Sequence, residues 1–217
     1  MSIIIALLIF SLIVLFHEFG HFLLAKKNGI TVVEFSLGMG PRLLSFDKGG
    51  TKYSWKLLPF GGSCMMLGED EGTMEPGAFA AASVWARIAV IAAGPVFNFI
   101  LAFVLSLFII GSIGYDKPVI LQVSDGYPAA EAGLQEGDVV KKINHTRIHV
   151  AREVTNYVTF HQKQPVTMTV ERDGKDVTVQ MEPMATESGR YVFGISCSAN
   201  YREKCGILGT LKYSAYE

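Results

Sequence analysis

The sequence predicts a membrane protein with two α-helical spans, a glycine-rich β region between them and a small α+β domain outside the bilayer. Three observations predict it. Of 217 residues, 50% are apolar and only 18% charged, whereas soluble domains average about 25% charged. Two apolar runs of helix length occupy 3–22 and 88–110. Beyond the second, the texture changes to alternating apolar and polar residues punctuated by turn dipeptides. The same composition excludes other classes. With 19 Lys+Arg against 20 Asp+Glu and no basic tract, the footprint that nucleic-acid binding needs is missing. Cys64, Cys197 and Cys205 form no CxxC pair and no disulfide framework. Apolar residues are too plentiful for a disordered chain.

The first span, within 1–25, reads IIIALLIFSLIVLFHEFGHF, and the second, within 88–114, reads IAVIAAGPVFNFILAFVLSLFII. Either can cross roughly 30 Å of hydrocarbon at ~1.5 Å per residue. A cleaved signal peptide fits the first run poorly. It has no basic n-region and no A-x-A site, and it runs straight into a charged patch. Lys26, Lys27 and Arg87 flank the intervening loop, which also holds Arg42, Lys48, Lys52 and Lys56, with Lys117 as the counterweight beyond the second span. The loop is therefore expected in the cytoplasm, and the N-terminus and everything after Gly114 outside the cell membrane.

The loop, 26–87, carries strand-like pieces at 31–37, 42–46 and 52–58, with Gly49-Gly50 as a hairpin turn. The run from Phe60 to Leu67 is unusually apolar for a surface loop. A β-structure associated with the membrane explains it if the backbone groups pair within the sheet, and so does a small sheet packed on the helices. From 115 to 185 a strand at 118–123 leads to a helical turn at 128–132 stopped by Gly133, and a strand at 138–143 ends in the turn Asn144-His145. Val154, Tyr157, Val158 and His161 follow helical spacing. Val166, Met168 and Val170 then alternate against Val177, Val179 and Met181 about a tight Asp173-Gly174 turn. The remainder, 186–217, reads as a strand and the start of a further amphipathic or membrane segment.

The first span carries the chemistry. His17-Glu18-Phe19-Gly20-His21 is an HExxH pattern. On a helix, residues four apart share a face one turn along, so both imidazoles reach one ion, with Glu18 beside them. Zinc suits imidazole ligands and keeps an open position when catalytic. Glu18 would take the proton from an activated water and return it to the leaving amine, which is the mechanics of a zinc peptidase. A carboxylate at membrane depth is costly, ~2.5–3.5 kcal/mol on insertion scales for Asp, and so marks a function more often than a polar contact between helices.

The stretch from Ala129 to Asn144, AAEAGLQEGDVVKKIN, resembles the signature of bacterial PDZ domains, which add an extended peptide to a sheet edge; a structural spacer that grips no peptide remains open. The motifs HEFGHF, Phe35-Ser36-Leu37-Gly38-Met39-Gly40-Pro41, Pro59-Phe60-Gly61-Gly62-Ser63 and Ala93-Gly94-Pro95-Val96-Phe97-Asn98-Phe99, followed by the PDZ-like module, run in order through the chain. Together they resemble the site-2 protease family, specifically its bacterial RseP-type intramembrane metalloproteases. The resemblance implies Zn2+ held by His17 and His21, with Glu18 catalytic. It also implies cleavage within the transmembrane segment of a single-span regulatory protein already trimmed by another protease. Gly61 and Gly62 would clamp the substrate backbone, Asn98 would help hold its unwound segment or else make a hydrogen bond between the helices, and the module would gate access. The family's third metal ligand is an aspartate of a Leu-Asp-Gly motif on a later span. This chain has no such motif, so it is expected to be a C-terminally incomplete copy, inactive alone. The alternatives are a non-catalytic membrane anchor presenting a peptide-binding module, and a transporter subunit relaying protons through His and Glu. Cys197 and Cys205 face the oxidising side in this topology, where they pair or stay as free thiols.

Overall fold

Isoleucine, leucine and phenylalanine follow one another without a helix breaker until Gly20, and a computed structural model of the chain forms helix α1 there, Ser2–Lys27. It describes residues 2–69, 73–161, 163–186, 189–197 and 201–216. The chain divides into two compact units, Met1–Val104 and Leu105–Glu217, each described by itself. Helix α1 ends where Gly29 turns left-handed (φ 75), so that the Ile30 amide donates to the Ala25 carbonyl at 2.9 Å and the Gly29 amide to the Lys26 carbonyl at 3.3 Å. This pair of bonds satisfies carbonyls that the helix leaves open at its end.

Two long strands follow, β1 (Val32–Lys48) and β2 (Thr51–Met66), joined by Gly49-Gly50. The separate strands expected at 31–37 and 42–46 are one continuous, bent strand. The register explains the bend. Phe46 pairs with Tyr53 across the hairpin, Phe35 pairs with Cys64, and Phe35 through Leu37 also lie in step with Tyr53 through Trp55. Each strand is thus used twice, folding over around Gly38 to Gly40. Lys26 Nζ donates to the Gly49 carbonyl at 2.9 Å and fixes the turn to the end of α1. Glu34 accepts from Arg42 at 2.9 Å and lies 3.8 Å from Lys56; burial pushes its carboxyl up, but Ser54, Arg42 and Lys56 outweigh this and hold it below its ordinary value. Leu43, Leu44, Phe46, Trp55 and Leu57 nevertheless stay exposed.

Helix α2 (Val84–Ile113) begins under a Ser83 cap, whose Oγ accepts the Ala86 amide at 3.2 Å. Both helices are long and apolar enough to cross a membrane. Only 6% and 11% of their most apolar windows are buried, which separates them from core helices of a soluble protein.

The second unit has short pieces β3 (Tyr115–Asp116), β4 (Ile120–Val123), α3 (Pro128–Glu131), β5 (Val139–Ile143), β6 (Thr146–Arg147) and α4 (Ala151–Phe160). The strands β7 (Val166–Arg172) and β8 (Lys175–Met181) form the expected hairpin, turning through left-handed Asp173 (φ 52) and Gly174 (φ 75). Strand order in its main antiparallel sheet is β6-β5-β7-β8. Then come β9 (Met184–Ala185), β10 (Tyr191–Val192), β11 (Ile195–Cys197), β12 (Arg202–Glu203) and helix α5 (Ile207–Ser214). The sequence divides this domain at 185, but the fold does not end there. Strand β11 returns to pair with β4, β12 pairs with β3, and Phe193 enters the core with Ile120, Ile143 and Met168. Cys64, Cys197 and Cys205 are free. Burial pushes the Cys197 thiol up to about 11, and Cys205 rests against Thr210.

Candidate active site

The site is built where α1 and α2 touch. A Cβ at Gly20 would stand 2.6 Å from the Ala93 carbonyl oxygen and 3.0 Å from Phe97 Cδ2, so the missing side chain is what lets the two backbones come together. His17 and His21 flank that contact on the same face of α1, with ring centroids 4.8 Å apart and planes at 75°. Their inner nitrogens converge. A Cβ at Gly94 would lie 2.4 Å from His21 Nε2 and 2.5 Å from His17 Nε2. Both nitrogens therefore face one small space that glycine keeps open.

The outer nitrogens fix which way the inner ones present themselves. His21 Nδ1 sits 2.7 Å from the Val90 carbonyl. A carbonyl only accepts, so Nδ1 carries the proton and Nε2 keeps its lone pair. His17 Nδ1 sits 3.1 Å from the amide nitrogen of Asn98, while Asn98 Oδ1 is buried without a partner. Turning the amide by 180° exchanges its two atoms and is invisible to shape. In that orientation Oδ1 accepts from the His17 Nδ1–H and His17 Nε2 is bared as well, the amide nitrogen taking the unpartnered place. Two imidazoles whose Nε2 atoms turn to one space, each ring oriented by a hydrogen bond at its far side, supply two of the donors of a metal site. Among the described residues no group of three or more His, Cys, Asp or Glu is gathered to hold a metal.

Glu18 lies beside β2. Its Cγ is 3.6 Å from where a Cβ at Gly62 would stand. One face of α1 earlier, Ser11 Oγ donates to the Pro59 carbonyl at 2.7 Å. The segment holding Gly61 and Gly62 thus runs along α1 up to the carboxylate, and Gly62 is paired with Leu37. Asn98 faces His17 across the two helices, the helix–helix hydrogen bond that was one of its two expected roles. Asn98 was legible as the singular polar residue of the second span, but its partner His17, 81 residues away along the chain, was not. Val90 and Gly94 were not singled out for a role. The cue for Gly94 was the Gly94-Pro95 pair within an apolar helix, a break that needs a reason.

A second cavity, of about 570 Å³, lies in the second unit between Val154 and Val158 of α4 and the run from Tyr191 to Cys197. Strand β11 pairs with β4, and its neighbouring residues Phe193 and Gly194 hold α3 and β4 through their carbonyls, to Ala129 at 2.9 Å and Ser124 at 2.8 Å. The sequence reading stopped short of this loop; the signal was the apolar-Gly-apolar run Phe193-Gly194-Ile195.

An interhelical pair of oriented imidazoles with a carboxylate alongside defines a candidate metallohydrolase centre at the meeting of two apolar helices. The model of peptidase family M50 matches residues 5–201, and the chain belongs to that family. A Clostridium perfringens relative, named as a candidate zinc metalloprotease, is 37% identical over 90% of this chain and 58% of its own length. A Clostridium acetobutylicum relative named likewise is 34% identical over 100% of this chain and 63% of its own. The zinc metalloprotease RasP of Bacillus licheniformis is 29% identical over 97% of this chain and 70% of its own. The chain thus spans 58% and 63% of the two clostridial relatives' lengths. The solved PDZ domain of an SdrC-like protein from Listeria monocytogenes matches 39% of this chain and 90% of that chain at 21% identity and a TM-score of 0.34; the description of the second unit rests on its own strand order.

Proposed function

We propose that this chain carries the catalytic helix pair of an intramembrane zinc endopeptidase, whose substrate is the transmembrane segment of a membrane-anchored protein. The observation that carries this reading is the convergence of His17 Nε2 and His21 Nε2 on the space over Gly94. His17 and His21 would hold the zinc. Zinc in such a site lowers the pKa of water to about 7 and polarises the scissile carbonyl. The residues of the chain do the rest. Val90 and Asn98 hold the two rings in the tautomer that binds metal. Glu18 takes the proton of the attacking water on its carboxylate and returns it to the leaving amine. The β2 segment through Gly61 and Gly62 lies beside Glu18, and a substrate strand laid along it would be held extended. Extension is needed because a helical peptide bond is shielded by its own turn.

The exposed apolar residues of α1, α2 and the hairpin support a bilayer setting, and the cations of the loop between the helices support a cytoplasmic hairpin. The module of the second unit then lies outside, where its groove beside α4 suits an extended peptide, and a pre-trimmed single-span substrate is the kind such a gate admits. The test is cleavage of a membrane-inserted substrate by the full-length protein extracted from membranes. Glu18→Gln lowers the rate by about 10²–10⁴-fold or more while zinc stays bound. Undiminished cleavage removes Glu18 from the chemistry.

A further inference from the structure

Helix α5 presents two unlike faces. Thr210, Tyr213 and Ser214 turn inward: Thr210 Cγ2 comes within 3.8 Å of where a Cβ on Gly111 would stand, and Tyr213 stacks on Tyr115 with ring centroids 3.6 Å apart and planes at 2°. The other face carries Ile207 at 84% and Leu208 at 83% exposure, with Leu211 beside them. On a solvated helix such a stripe of apolar surface left in water is unfavourable. Its position explains it. Gly111 belongs to the last turns of α2, so α5 lies level with the end of that helix, whose Phe108, Ile109 and Ile113 are likewise exposed. The two apolar surfaces share one depth.

The junction is braced. Gly114 is left-handed (φ 91) and a Cβ there would stand 2.5 Å from the Glu203 carbonyl oxygen, so the two segments meet closely only at a glycine, and Arg202 donates to the Gly114 carbonyl at 3.2 Å. Helix α5 is therefore held at the end of α2 rather than free to swing. Above it opens a cavity of about 600 Å³ lined by Lys117, Lys142, Arg147 and Lys212, together with the Lys141–Glu171 ion pair and Asp176. Lys117 is itself bound to Glu203. Cations outnumber anions in that lining, and α5 contributes Lys212 to it, so one short helix carries both a basic and an apolar side, as an interfacial helix on an anionic surface does.

We propose that α5 is a membrane-surface anchor. Its Ile207–Leu208–Leu211 face enters the acyl boundary of the leaflet at which α2 ends, and the basic cavity faces the anionic headgroups. The bilayer thereby holds the module of the second unit close to the end of α2. This goes beyond the peptidase reading and shares with it only the premise that α2 spans the bilayer.

The test uses the full chain in bilayers containing phosphatidylglycerol, with Trp55→Phe and Trp85→Phe removing the native tryptophans. Leu208→Trp is then compared with Phe108→Trp on α2 and Lys175→Trp on the β7–β8 hairpin. Lipids brominated high on the acyl chain are expected to quench Leu208→Trp and Phe108→Trp several-fold more than Lys175→Trp. Leu208→Trp that is water-like in emission, or blue-shifted yet unquenched by lipid because protein covers it, overturns the anchor. Absence of quenching at Phe108→Trp overturns the span and the anchor together, so the two failures are told apart. Ile207→Trp repeats the measurement should Leu208→Trp disturb folding.

Discussion

His17 and His21 are each useful only through what holds the far side of the ring. A histidine on an apolar helix swings between rotamers and tautomers. Here Val90 and Asn98 remove that freedom, at 2.7 and 3.1 Å. The HExxH spacing was readable because helical periodicity alone puts both rings and Glu18 on adjoining positions of α1. The supporting residues were not, since Val90 acts through its backbone, which any side chain would supply. Asn98 acts on a residue far away in sequence. Groups that orient a metal ligand typically contribute 10–100-fold to metal affinity or activity. Asn98→Ala is accordingly expected to weaken zinc binding by about that factor, measured by competition with a chelator, and Asn98→Asp to recover part of it. Unchanged affinity in Asn98→Ala would leave Asn98 as a simple contact between helices.

The helices were legible as elements because an uninterrupted apolar run has few other fates. The doubled-over hairpin was not. Alternation marks strand pieces such as 31–37, but nothing local shows that Phe35 faces both Tyr53 and Cys64. That depends on the fold-over around Gly38 to Gly40, where a Cβ on Gly38 would meet the Leu58 carbonyl oxygen at 2.4 Å. The contact of α1 with α2 is set the same way, by what Gly20 lacks. Gly20→Leu forces the backbones apart at Ala93 while leaving every proposed ligand in place. Its expected result is a protein that still inserts but holds zinc poorly, read as metal per chain after extraction. Full zinc occupancy in Gly20→Leu would show that the ligands do not depend on the helix spacing.

At the scale of the molecule, the membrane part and the module are stabilised by different physics. Lipid-facing helices gain little from burying apolar groups against one another and rely on close backbone approach. The module has an ordinary apolar core around Ile120, Ile143 and Met168, and a buried ion pair. Asp138, 1% exposed at its side chain, is gripped by Arg172 through Nε at 2.7 Å and Nη2 at 2.7 Å and by the Gln135 amide at 2.9 Å. Burial pushes the Asp138 carboxyl up, but these hydrogen bonds outweigh it and hold the group below its ordinary value. A depressed carboxylate stabilises the fold above its unfolded pKa, about 3.9, and loses that contribution as pH falls through the lower folded value. Protection against hydrogen exchange in β5 and β7, taken relative to the intrinsic rate at each pH, should therefore fall below about pH 4, and in Asp138→Asn it should be lower at neutral pH and less sensitive to acid. An unchanged acid response in Asp138→Asn would place the acid sensitivity elsewhere. The domain end lay beyond the sequence reading for a related reason. A three-residue strand such as β11 carries too little pattern to announce that it closes a sheet begun at Ile120.

The space above Gly94 carries the metal reading, and zinc content measured on Gly94→Ala beside the unaltered full-length protein tests it most directly. A methyl group there would stand 2.4 and 2.5 Å from the two ring nitrogens. The expected result is zinc in the unaltered protein and in Glu18→Gln, and its loss in Gly94→Ala though His17 and His21 remain. Zinc retained at full occupancy in Gly94→Ala, or absent from the unaltered protein, would contradict it.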